Sequence, residues 1–138
     1  MTRHEIVLQP DPAEIARLSE WIKQRCGADA VESEVVFKIT LALEEAVMNV
    51  VSHAFDGVAP PHLVHVVLEV GPASVMAELT DNGHAFDPSA APPPDMSRPV
   101  AERDPGGLGI HLMRTMMDRV EYRRDGSHNR LRLEKRRN

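Results

Sequence analysis

The chain has 138 residues, a length that suits one domain with a hydrophobic core of its own. Its 16 basic and 21 acidic residues give a net charge of −5, which argues against direct binding to nucleic acid. A single cysteine excludes a disulfide framework, and no stretch reaches the roughly 18 apolar residues of a membrane helix. We therefore expect a cytoplasmic protein without membrane attachment.

The first part of the chain predicts one strand followed by two helices. Residues 4–8 are typical of a short strand, and an apolar stripe predicts a helix over 13–26 that Gly27 ends. A broad apolar face predicts a second helix over 33–54.

The later part predicts two β-hairpins with a helix between them. β-branched residues over 62–70 and alternation over 73–80 indicate the first hairpin. Residues 108–118 predict a helix, and 120–124 with 131–134 indicate the second hairpin. The resulting order favours an α+β two-layer sandwich, with a largely antiparallel sheet covered by helices on one face.

Residues 81–107 differ from the rest of the chain. The segment is proline-rich, has few apolar side chains and is too long for an ordinary connection. Such segments act as functional lids or as disordered linkers, and both interpretations stay open at this point.

Glu45 and Asn49 are polar residues one helical turn apart within an apolar helix, and Ser52 and His53 continue their face. An amide oxygen is a suitable ligand for Mg²⁺, and a carboxylate can orient or deprotonate a hydroxyl. The alternative is a solvated polar stripe on an amphipathic helix.

The sequence DNGHAFD, residues 81–87, follows a predicted strand. Asp81 can accept a hydrogen bond from an exocyclic amine, and Gly83 can let a ligand approach the backbone closely. The alternative is an ordinary Asn-Gly turn.

Glycines lead into the third predicted helix at Gly106, Gly107 and Gly109. The free N–H groups and the dipole of a helix N-terminus favour phosphate, although the spacing matches neither the Walker nor the dinucleotide-binding pattern. The alternative is a flexible hinge with a helix cap.

Taken together and in this order, the motifs resemble the Bergerat-fold ATPases, the superfamily of gyrase-type topoisomerases and histidine kinases. The resemblance covers nearly the whole chain, 1–138, as a single ATPase domain with a flexible ATP lid at about 84–107. EAVMNVVSHA (45–54), DNGHAFDP (81–88) and GLGIHLMR (107–114) are similar to the bacterial anti-sigma-factor serine-protein kinases. His53 in place of a second asparagine, and Ala85 in place of the last glycine of the D-x-G-x-G form, separate the chain from histidine kinases.

The resemblance implies a role for each motif residue. Glu45 would be the catalytic general base, Asn49 the Mg²⁺ ligand, Asp81 the reader of adenine and Gly83 the residue that makes room for it. Arg103 is a plausible contact to the γ-phosphate or a solvated charge. The full set expected to bind ATP is Asn49, His53, Asp81, Gly83, Phe86, Arg103, Gly106, Gly107, Leu108 and Gly109.

The implied function is an ATP-dependent serine/threonine-protein kinase that is also an anti-sigma factor. It would phosphorylate a STAS-domain anti-anti-sigma antagonist, bind a sigma factor or another regulated target by partner switching, and form a homodimer. The alternatives are a non-catalytic ATP-binding switch, the detached ATPase domain of a histidine kinase system, and a scaffold without nucleotide.

Overall fold

The chain folds as a five-stranded antiparallel sheet with helices packed on one face, in a computed structural model that describes residues 1–87 and 105–137. The elements in chain order are β1 (Thr2–Leu8), α1 (Glu14–Ala28), α2 (Ser33–Asn49), a π-turn (Val50–Ala54), β2 (Val64–Val70), β3 (Ser74–Asp81), α3 (Pro105–Met116), β4 (Arg119–Asp125) and β5 (His128–Arg136). The predicted α+β architecture and the order of its elements are confirmed.

The strands are arranged in the order β1-β2-β3-β5-β4, and every neighbouring pair is antiparallel. The two predicted hairpins, β2–β3 and β4–β5, join side by side through β3 and β5. This pairing places Asp81, at the end of β3, opposite Asn129 of β5.

The core lies between the sheet and the helices. Inward side chains of the strands, such as Leu68 and Leu133, pack with Ile39 and Leu43 of α2 and are fully buried. Charged side chains such as Arg132 lie on the other face of the sheet, so one face is dry and the other is solvated.

Helix α1 does not end at Gly27, as the sequence predicts, but continues to Ala28. The residue that takes the left-handed conformation after it is Ala30, with a φ of 54°. The N–H of Val31 then donates to the Cys26 carbonyl at 3.0 Å, which closes the helix end by the usual backbone pattern. Glycine is therefore not needed where this helix ends.

The second predicted helix is not one α-helix to Ala54. Helix α2 ends at Asn49, and the next five residues form a single turn of π-helix, the π-turn, a rare element that is frequent at functional sites. The Ala54 carbonyl accepts a hydrogen bond from the N–H of His84 at 2.8 Å, so the π-turn is tied to the segment after β3.

Helix α3 begins at Pro105, three residues before the predicted start at Leu108. Proline suits a first helical position, because its missing N–H would be unsatisfied there anyway. Of the predicted lid, residues 88–104 lie outside the described residues. Within the described residues, no helix is long and apolar enough to span a membrane.

Candidate functional site

A cavity of about 190 Å³ opens between α2, the π-turn and the end of the sheet. Its walls are mostly apolar, with polar groups at a few points. The lining residues are Ala46, Asn49, Val50, His53, Ala54, Leu79, Asp81, His84, Ala85, Phe86, Met113, Tyr122, Asn129 and Leu131. A concave apolar site with few converging polar groups is the usual form of a small-molecule site.

The Asp81 carboxylate is the most buried acidic group on the cavity wall, with 4% of the residue exposed. Its Oδ1 atom accepts hydrogen bonds from the Gly83 N–H and from Asn129 Nδ2, both at 2.9 Å. Among the described residues, no donor contacts Oδ2. One carboxylate oxygen is therefore fixed by the protein, and the other is available to a ligand donor.

Asn129 links the two hairpins behind this carboxylate. Its Nδ2 also donates to the His84 carbonyl at 2.6 Å, and its Oδ1 accepts from the Tyr122 hydroxyl at 2.5 Å and from Arg124 Nη1 at 3.1 Å. Because a buried amide must be hydrogen-bonded, this network fixes one orientation for Asn129 and hence for Asp81. No local pattern marks these three residues as part of a site, because Asn129 is typical of a hairpin turn and Tyr122 and Arg124 are typical of a strand.

Gly83 has a different immediate role from the one the sequence suggests. A Cβ atom at this position would lie 2.3 Å from the Ala54 carbonyl oxygen, a distance that no packing tolerates. Arg124 Nη1 donates to the Gly83 carbonyl at 2.8 Å from the other side. The glycine therefore lets the end of β3 approach the π-turn, and Gly83 is not among the residues that line the cavity.

Asn49 and His53 line the cavity from the helical side. Glu45 lies one turn before Asn49 on α2, is half-buried and is not among the lining residues. Within the described part of the chain, the Glu45 carboxylate makes no hydrogen bond. Glu45 therefore lies one helical turn from a lining residue and outside the cavity lining itself.

The segment after β3 forms another wall of the cavity. His84, Ala85 and Phe86 line it, and Phe86 keeps 51% of its surface exposed. The His84 imidazole contacts the Asp56 carbonyl, which connects this wall to the loop after the π-turn.

The first turn of α3 contains Gly106, Gly107, Leu108 and Gly109, and Met113 of the same helix reaches the cavity. The first N–H groups of a helix have no partner within it, so this end of α3 suits an anion. Arg103 lies outside the described residues, and its predicted role stays a prediction.

The acidic and histidine side chains do not form a metal site by themselves. No group of three His, Cys, Asp or Glu residues in the described ranges could hold a metal ion. Asn49 offers one amide oxygen at the cavity, which fits Mg²⁺ when phosphate oxygens and waters supply its other ligands.

These parts together favour a mostly apolar ligand with an amine at one end and an anionic group at the other. Asp81 would accept from the amine, and Asn49 and the start of α3 lie where an anion and its cation would be held.

Three comparisons with known proteins agree with this geometry. Residues 8–135 match the family model described as the histidine kinase-like ATPase domain. The chain is 36% identical to the serine/threonine-protein kinase BtrW of Bordetella bronchiseptica over 77% of this chain and 75% of that protein. It is also 36% identical to the serine-protein kinase RsbW of Halalkalibacterium halodurans, over 63% of this chain and 54% of that protein.

Among solved structures, the RsbU and RsbW domains of Rv1364c from Mycobacterium tuberculosis superimpose with a TM-score of 0.71. The match covers 99% of this chain but 33% of that one, at 12% identity, and therefore shows a shared fold. The chain spans about half the length of the RsbW relative.

Proposed function

The chain belongs to the histidine kinase-like ATPase family and groups with its serine-protein kinases, and we propose that it transfers the γ-phosphoryl group of ATP to a serine or threonine of a STAS-domain protein. Residues 1–138 would act as a single ATPase domain. Support comes from the protein kinase activity for which the relatives are named and from a cavity with polar groups suited to this reaction.

The observation that carries the proposal is the Asp81 carboxylate, in which only one of the two oxygens is hydrogen-bonded by the described residues. Oδ1 is held by Gly83 and Asn129, and Oδ2 has no donor among the described residues and lies on a mostly apolar cavity wall. The exocyclic amine of adenine is a donor of the right kind for this position, and guanine would present a carbonyl oxygen there instead.

The phosphates would extend from the adenine end toward Asn49 and the start of α3. The N–H groups of Gly106 and Gly107, which have no partner within α3, suit phosphate oxygens, and Asn49 suits Mg²⁺. The predicted contacts of Leu108 and Gly109 would then come from the same end of the helix. The magnesium ion supplies neutralisation of phosphate charge, a large part of catalysis in phosphoryl transfer.

Glu45 would act on the acceptor hydroxyl. The carboxylate takes the proton as the hydroxyl oxygen bonds to the γ-phosphorus, and the bond to the β,γ-bridging oxygen breaks to release ADP. Its place beside the cavity, without a hydrogen-bonded partner in the described residues, leaves Glu45 open to a hydroxyl that arrives from another protein.

We further propose that a STAS-domain anti-anti-sigma protein is the acceptor and that a sigma factor or another regulated target is bound in its place after phosphorylation. A homodimer and a cytoplasmic location, where ATP is supplied, belong to the same proposal. The relatives named BtrW and RsbW support the kinase part of it.

The test measures phosphoryl transfer directly. The chain is mixed with Mg-ATP and the STAS-domain protein encoded nearest to it, and the STAS protein is weighed intact by mass spectrometry. We expect a gain of one phosphoryl group, and a rate about 100-fold lower for Glu45→Gln, the lower end of what a general base contributes.

Glu44→Gln is the matched control, because Glu44 is the half-buried neighbour of Glu45 on the same helix. At saturating STAS protein, where docking does not limit transfer, it should keep the rate within about twofold. An unaffected Glu45→Gln rate would remove Glu45 as the base. ATP binding without transfer by the natural chain would favour the non-catalytic switch.

A further inference from the structure

The outer face of α2 carries three apolar side chains that the core does not use. Phe37 is 62% exposed, and Leu41 and Met48 are half-buried. Within the described residues, none of them belongs to the buried core or packs against it. At spacings of four and seven residues they share one helix face, which we call the α2 stripe.

The α2 stripe runs past the proposed base. Leu41 lies one turn before Glu45 and Met48 lies three residues after it, within about 6 Å along the helix axis. A hydroxyl that reaches Glu45 from outside therefore arrives on a surface that covers Leu41 and Met48. Phe37 extends this surface by a further turn.

We propose that the α2 stripe is the docking surface for the protein that receives the phosphoryl group, an inference that rests on the proposed function. The partner is a folded protein with apolar side chains around its acceptor serine or threonine. The stripe provides the contact that holds this serine at Glu45 long enough for transfer.

Charges beside the stripe specify the partner further. Glu34 is exposed and pairs with Lys38 at 2.9 Å, whereas Glu44 makes no hydrogen bond or ion pair within the described residues. A basic side chain next to the acceptor serine would complement Glu44 and discriminate against acidic partners.

The size of the stripe favours a transient partner over a second copy of the chain. An aromatic side chain buries about 150–250 Å² when fully covered, whereas a stable interface buries about 800 Å² on each partner. Three side chains, two of them already half-buried, provide well under that area. A contact that forms only during phosphoryl transfer does not need a larger buried area.

The experiment compares Phe37→Ser and Leu41→Ser with Val7→Ser in the full chain. Val7 is the matched control, since it is apolar and 57% exposed and lies on β1 between inward-facing Ile6 and Leu8. Each variant is assayed for the KM of the STAS protein, the kcat at saturating STAS protein, the affinity for ATP, and self-association by sedimentation.

We expect the KM for the STAS protein to rise at least tenfold in Phe37→Ser and Leu41→Ser, with kcat and ATP affinity within twofold. Val7→Ser should leave all values within twofold. Equal KM values for Phe37→Ser and Val7→Ser would overturn the inference. Weakened self-association with an unchanged KM would also overturn it, and would assign the stripe to an interface between copies.

Failure of the proposed function itself has a separate signature. The natural chain would then bind ATP and transfer nothing to the STAS protein, before any variant is compared. The docking inference would be rejected with it.

Discussion

At the scale of single residues, the Asp81 carboxylate divides its two oxygens between the protein and the cavity. Hydrogen bonds from the backbone N–H of Gly83 and the amide of Asn129 offset the desolvation cost of burying Oδ1. They also hold the carboxylate in place before any ligand binds. The other oxygen needs only a donor from the ligand. Under the proposed function, recognition of the adenine base would then depend on the Oδ2 atom.

Asp81→Asn tests this division. The amide oxygen can keep both protein hydrogen bonds, while its NH₂ group would meet the adenine amine as a second donor. An unpaired buried polar group costs about 1–3 kcal/mol, so ATP affinity should fall about 10- to 100-fold without loss of the fold. Isothermal titration calorimetry measures it.

Asp125→Asn is the control, since Asp125 is exposed at the end of the β4–β5 hairpin and should leave ATP affinity unchanged. An unchanged affinity in Asp81→Asn as well would show that the base binds elsewhere.

The sequence predicts Asp81 and Asn49 as site residues because each stands out against an apolar local pattern, and both line the cavity. Asn129 shows no such contrast. Its partner Asp81 is 48 residues away and meets it only through the pairing of β3 with β5. A contact made by long-range strand pairing leaves no local signal.

At the scale of elements, the contact between the end of β3 and the π-turn holds the two sides of the cavity together. Gly83 lies against Ala54, and the N–H of His84 bonds the Ala54 carbonyl at 2.8 Å. At Gly83 and Ala54, the backbone after β3 and the backbone of the π-turn are therefore in direct contact, without a side chain between them.

Gly83→Ala should lower the free energy of unfolding by about 1–3 kcal/mol, the cost of forcing extra volume into a packed site. Gly27→Ala is the opposite case. Among the described residues, no atom beyond the chain neighbours and the backbone of α1 lies within 4 Å of its added methyl group. A helical glycine is about 0.5–1 kcal/mol worse than alanine, so stability should rise.

Urea unfolding of the two variants measures both effects, and Gly27→Ala also gives a stabilised background if Gly83→Ala folds poorly. Equal stability of Gly83→Ala and the natural chain would mean that the π-turn moves to accommodate the methyl group.

The elements themselves were predictable, because apolar periodicity is local. Their ends were less so. The end of α1 depends on the φ of Ala30, and the change from α-helix to π-turn after Asn49 depends on the contact with His84. The spacing of apolar residues indicates neither the φ of Ala30 nor the contact with His84.

At the scale of the whole molecule, Arg137 joins three segments that are distant in sequence. Its guanidinium contacts the Glu32 carboxylate at 3.2 Å, the Gly71 carbonyl at 2.8 Å and the Ala30 carbonyl at 3.1 Å. The end of the sheet is thereby fixed to the turn before α2 and to the β2–β3 turn. Hydrogen bonds from Arg137 lower the pKa of Glu32 from its ordinary value of 4.5.

Arg137→Ala should therefore lower the melting temperature at neutral pH. Because the folded pKa of Glu32 is depressed, this stabilisation is complete above about pH 4.5 and is lost as the pH falls through the lower folded pKa. The difference from the natural chain should shrink in acid without vanishing, since the carbonyl contacts persist. Thermal unfolding followed by circular dichroism between pH 7 and pH 3 measures it.

Arg136→Ala is the matched control. The Arg136 side chain is 75% exposed and lies 3.6 Å from Asp118, so its removal should change the melting temperature much less. A larger effect from Arg136 would contradict the role given to Arg137.

The preformed end of the cavity has a consequence for product inhibition. The groups fixed by the protein alone, Asp81 and Asn129, would contact the base, which ATP and ADP have in common. These two residues cannot distinguish ATP from ADP. That discrimination would depend on the groups that contact the γ-phosphate. The occupancy of such a protein would follow the cellular ratio of ATP to ADP, and replacement of bound ADP would limit how quickly it could act again.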